Sequence, residues 1–102
     1  MNVVAEISQL ANTIGREDPG VEVDFAPLPS GVVFLHVRVS GRCFVIAHYP
    51  QRSGFGVDEV LDGEGFETGY RYWYPEFSDA RRKLLEFVSI AQNDVSKDGM
   101  SR

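Results

Sequence analysis

Two sets of residues in this chain have the types and spacing to do chemistry. The first is His36, Cys43 and Asp58. A thiol becomes a nucleophile when a neighbouring imidazole lowers its pKa, and a carboxylate can orient that imidazole. His36 and Cys43 lie on consecutive β-rich runs, separated by Ser40-Gly41. If those runs pair around a two-residue turn, the two side chains become diagonal neighbours on one face. Such a pair on strands lacks the loop or helix start, and the backbone donors, that nucleophilic sites use to stabilise an oxyanion. The ordinary reading of Cys43 is a half-buried strand residue.

The second set is the acidic segment Asp58, Glu59, Asp62, Glu64 and Glu67. Counted from Asp58, it places Val60 and Gly69 where a calcium loop needs ligands, so it fails the EF-hand pattern. A solvated hairpin tip, open to a cation or a basic partner, is the simpler account. Gly54-Phe-Gly56 precedes a strand-like run and makes no phosphate loop. His48 falls on the core side. Arg81-Arg-Lys83 reads as a solvated helix face, with Asp79–Lys83 and Arg82–Glu86 spaced for i,i+4 pairing. No cofactor or metal site is expected.

The elements that carry these residues follow from periodicity. Val3, Ile7, Leu10 and Ile14 form one helical stripe, with Val4 and Ala11 beside it and Gly15 as the expected stop. Val21 to Phe25 alternates as a half-buried strand does. Val32 to Val39 and Arg42 to Tyr49 form a hairpin around Ser40-Gly41, and Pro50 ends the second run. Phe55 to Leu61 and Phe66 to Tyr74 form another around Asp62 to Gly65. Ser78 is the expected N-cap of a second helix, whose stripe is Ala80, Leu84, Phe87, Val88 and Ala91. The expected fold is α+β. It is a two-layer sandwich in which an antiparallel meander of four or five strands carries the N- and C-terminal helices on one face. Residues 1–94 form one domain and 95–102 a flexible tail.

Strand parity then divides the side chains. Val33, Leu35, Val37, Val39, Phe44, Ile46, Phe55, Val57, Leu61, Phe66, Tyr70 and Tyr72 face the helices. The other face combines Phe34, Val45, Tyr49 and Trp73 with His36, Arg38, Asp58 and Arg71. Trp and Arg on an open sheet are what protein interfaces enrich. Phe34, His36, Arg38, Tyr49, Asp58, Arg71 and Trp73 are therefore the candidate partner-binding residues, continued by the aromatic edge strand 66–74. Scattered apolar surface is the bland alternative.

The 102 residues carry a net charge of −5, with a pI near 4.9. That balance argues against nonspecific nucleic-acid or anionic-membrane binding, which relies on cations to neutralise phosphates. A single cysteine permits no internal disulfide and suits a reducing, cytoplasmic setting. No segment reads as a signal peptide or membrane span. The element order is similar to that of the double-stranded-RNA-binding domain and of frataxin. The first likeness lacks the basic cluster beyond Arg81-Arg82-Lys83, and the second lacks an acidic first helix beyond Glu6. The expected function is a non-enzymatic protein-binding module, of the kind found among small acidic immunity and inhibitor proteins of bacteria and phages. Its partner would be another protein or a second copy of the chain. The alternative is a small cytosolic enzyme or ligand binder using His36, Cys43 and Asp58.

Overall fold

The fold was established from a computed structural model that describes residues 2–60 and 70–100, the side chains of 94–100 excepted. Helix α1 spans Val3–Glu17, and strands β1 to β5 span Glu22–Pro27, Val33–Val39, Arg42–Tyr49, Arg52–Val60 and Tyr72–Tyr74. Helix α2 spans Phe77–Met100. The five strands form one antiparallel sheet in chain order, β1 to β5. This is the expected α-β-β-β-β-β-α meander. Helix α1 packs on β1 and β2, and α2 packs chiefly on β3, β4 and β5.

Local chemistry explains most of the boundaries. Asn2 caps α1 by accepting a hydrogen bond from the Ala5 backbone at 3.1 Å. The helix does not stop at Gly15 as expected but runs to Glu17. Gly15 costs helix stability without ending it. Pro19 sets the end, because a residue before proline is pushed out of the helical region, and Asp18 is extended at φ −140°, ψ 98°. Ile7, Leu10, Ala11 and Ile14 are buried, whereas Val4 is exposed.

Ser40 and Gly41 both have positive φ, 56° and 77°, the mirror-image turn that suits strand twist. Val39 accordingly pairs with Arg42, as the sequence implies. The next connection was not anticipated. Pro50-Gln51 joins β3 directly to β4, and the pairing shifts from Tyr49–Arg52 to His48–Phe55. Ser53 and Gly54 bulge out between those pairs. The expected Leu61–Phe66 pairing and the 62–65 turn lie outside the described residues. Helix α2 begins at Phe77, so Ser78 sits inside the first turn rather than capping it. Phe77 is buried edge-on against Phe55 at 5.4 Å, which draws the helix start forward.

The core lies between the helices and one face of the sheet. Leu35, Ile46, Val57, Val33, Val37 and Phe44 meet Ile7 and Leu84, all at 0–1% exposure. Phe87 stacks on Phe44 at 5.1 Å and meets Tyr72 edge-on. His48 is half-buried on this side beside Phe55.

Candidate functional site

The sheet face turned away from the helices is laid out in cross-strand rows. One row runs Ala26, Phe34, Ala47, Gly56, Trp73, and the next runs Asp24, His36, Val45, Asp58. A third pairs Glu22, Arg38, Cys43 and Val60. Because side chains alternate along a strand, Phe34, His36, Arg38, Tyr49, Asp58 and Trp73 fall on one face. Arg71 reaches the same face from just before β5. All seven sequence-derived candidates are thus brought together.

Aromatic contacts organise one half of this face. Phe34 meets the Tyr49 ring edge-on at 6.0 Å and lies 6.2 Å from His36. Tyr49 stacks at 6.5 Å on Trp73. The Arg52 guanidinium sits 4.2 Å from the Trp73 ring centroid, a cation–π contact. Trp73 donates its indole N–H to the Ser53 carbonyl at 3.2 Å, while His48 Nδ1 bonds the Gly54 carbonyl at 3.0 Å. The bulge therefore has both carbonyls satisfied, one from each side of the sheet. Gly54 makes this possible. Its φ is 121°, and a Cβ would lie 2.6 Å from the Tyr74 carbonyl oxygen and 2.7 Å from the indole nitrogen.

Tyr70 differs from expectation. It belongs to the outer face rather than the helix side, and its ring lies on Gly56, where a Cβ would come within 2.6 Å of Tyr70 Cγ. Its hydroxyl bonds that of Tyr49 at 3.0 Å. Burial, then the Tyr49 hydrogen bond, pushes the Tyr70 phenol well up, so it stays protonated. Parity missed this residue because Tyr70 precedes β5 and does not follow strand alternation. Only the clustered glycines of 54–56 hinted that large rings would close on the sheet.

Asp58 is held by Arg71, whose backbone N–H and Nε donate to it at 3.2 and 2.8 Å. The Arg71 side chain stays 57% exposed and that of Asp58 only 13%. Asp58 also accepts from the Glu59 backbone. Glu59 itself pairs with Arg42 at 2.9 Å through two hydrogen bonds on the helix side. Those bonds hold its carboxyl below the usual carboxylate range.

The candidate nucleophile is placed differently from what chemistry needs. Cys43 sits opposite Arg38, diagonal to His36, and burial pushes its thiol up. Its Sγ faces the Phe44 carbonyl at 4.0 Å, and no hydrogen bond joins it to His36 among the described residues. Burial, set against Asp24, holds the His36 imidazole below its ordinary value. Asp62, Glu64 and Glu67 lie outside the described residues. Among the described residues, no cluster of three His, Cys, Asp or Glu side chains could hold a metal, and no helix is long and apolar enough to cross a membrane. Among the described residues of α2, the ion pairs are Asp79–Arg82 and Lys83–Glu86, at i,i+3 spacing rather than the expected i,i+4. Lys83 lies over the Tyr72 ring at 4.4 Å.

No protein family, curated protein or solved structure matches this chain.

Proposed function

We propose that this chain is a non-enzymatic protein-binding module that covers a partner with its outer sheet face and the adjoining strand β5. One observation carries the reading. Phe34, Tyr49 and Trp73, with Arg52 on the indole, form a contiguous half-exposed aromatic cluster on the helix-free side. Such clusters of Trp, Tyr and Arg supply the central anchors of protein interfaces. His36, Arg38, Asp58 and Arg71 give it a polar rim of both signs. A small acidic chain with this arrangement suits the work of an inhibitor or immunity protein, and its free Cys43 suits a cytoplasmic setting. The enzyme reading has less support, because Arg71 already engages Asp58 and burial raises the Cys43 thiol.

Trp73→Ala tests the proposal. Self-association is measured by sedimentation, and affinity for any protein retained from the host by calorimetry. The expected loss is about 2 kcal/mol or more, as for interface aromatics at hot spots. Equal affinity of the two proteins, both shown folded by circular dichroism, would remove this face from consideration.

A further inference from the structure

Strand β1 is one edge of the sheet, and among the described residues no strand pairs with its outer side. Two observations fix which of its backbone groups point outward. Val39 and Arg42 flank a two-residue hairpin turn and so form a hydrogen-bonded pair. The odd residues of β2 therefore bond to β3, while Phe34, His36 and Arg38 bond to Ala26, Asp24 and Glu22 of β1. In step with this, the Leu28 N–H donates to the Val32 carbonyl at 2.8 Å. The N–H and C=O of Val23 and Phe25, and the C=O of Pro27, are left facing outward. Pro27 stands where its missing N–H costs the sheet no bond. Such an open edge recruits another strand. Val23 and Phe25 lie beside it only half-buried against the core.

We propose that two copies of this chain pair antiparallel through β1, centred on Phe25, to make one continuous sheet. Charge and Pro27 select the register. Pairing centred on Val23 sets Glu22 against Asp24 of the second copy, and pairing centred on Asp24 sets that residue against itself. Like charges directly opposite each other destabilise a strand pair. Pairing centred on Ala26 sets Phe25 against Pro27, which has no N–H to give. Centred on Phe25, Asp24 meets Ala26 and Glu22 meets Leu28, which is 43% exposed. The two Phe25 residues then exchange both backbone bonds, and each Val23 N–H reaches the Pro27 carbonyl of the other copy. The helix layer fits the same arrangement. Helix α1 packs on β1 and β2. With strands about 4.8 Å apart, the two-fold axis sets the two α1 helices about 10 Å apart, a normal distance for packed helices. Gly15, seated against Val23, and Val4 lie on the side of α1 away from Glu6, Gln9 and Thr13, which line its groove with α2. Their small side chains admit a second helix. The outer face and β5, at the other edge, stay free for a different protein.

Sedimentation equilibrium of the full chain tests this. The wild type should pass from monomer to dimer as concentration rises. Ala26→Asp sets two like-charge pairs across the axis, against Asp24 of each copy, and should weaken the dimer about two- to thirtyfold. Ala26→Lys sets two opposite-charge pairs there and should tighten it by a similar factor. Val23→Pro removes an outward N–H without touching the β1–β2 ladder, and should weaken the dimer about tenfold or more. If circular dichroism shows that Val23→Pro does not fold, the two Ala26 variants decide the matter. A wild type that stays monomeric up to millimolar concentration, or equal dimerisation of the two Ala26 variants, would overturn the proposal. So would a dimer lost in Trp73→Ala and kept in Ala26→Asp, which would place self-association on the outer face instead.

Discussion

Burial sets the chemistry of single residues on the outer face. Because it raises the Cys43 thiol, the thiolate fraction at neutral pH is smaller than that of a free cysteine. Alkylation by iodoacetamide should therefore run slower for native protein than for denatured protein, and a faster native reaction would revive the catalytic reading. His36 and Glu59 make stability pH-dependent in the same direction. The folded imidazole lies below 6.5 because burial disfavours its charge, outweighing Asp24, while Arg38 adds to the shift. The unfolded chain then binds the proton more readily, so this contribution is full above pH 6.5 and is lost as pH falls through the folded value. The folded Glu59 carboxyl lies below 4.5, first through its hydrogen bonds to Arg42. Its contribution is full above pH 4.5 and is lost as pH falls through the folded value. Denaturant midpoints measured across pH should fall in two stages. His36→Gln should flatten the stage below pH 6.5, and Glu59→Gln the stage below pH 4.5.

At the scale of elements, two glycines with positive φ separate backbone strain from packing. Gly41 has nothing within 4 Å of a Cβ, so Gly41→Ala meets only the left-handed penalty, about 1–2 kcal/mol. Gly54→Ala meets the same kind of penalty plus a clash with the Tyr74 carbonyl at 2.6 Å, in the register that joins β4 to β5. It should cost more than Gly41→Ala by chemical denaturation and should shift Trp73 fluorescence, because the indole shares that space. A smaller loss at Gly54 would mean that β5 yields without cost. Helix α2 owes its place to the core rather than to its caps. Leu84 is at 0% exposure, and Leu84→Ala should cost about 2–5 kcal/mol, the range for a buried leucine truncated to alanine.

The whole molecule shares one helix-side core, to which α1 and α2 both contribute. Ile7→Ala on α1 and Leu84→Ala on α2 should therefore each lower a single transition. Far-ultraviolet dichroism and Trp73 fluorescence should report the same midpoint, although Trp73 stands on the far side of the sheet. Separate transitions would show that the layers fold independently. What the sequence by itself determined is what is periodic or locally coded. The stripes of Ile7, Leu10, Ile14 and of Ala80, Leu84, Val88 oriented both helices, and Ser40-Gly41 set the β2–β3 register. Once that register is set, period-two alternation puts Phe34, His36, Arg38 and Tyr49 on one face without further information. Tertiary structure decided what depends on contacts distant in sequence. Helix α2 began at Phe77 because that ring docks on Phe55. The Pro50-Gln51 turn brought Ser53 and Gly54 into a bulge that displaced the pairing by two residues. Tyr70 crossed to the outer face because only Gly56 leaves room there for its ring, and Arg71 followed it onto Asp58. Alternation governs residues inside a strand, but a residue just outside one goes where the packed sheet leaves space for it.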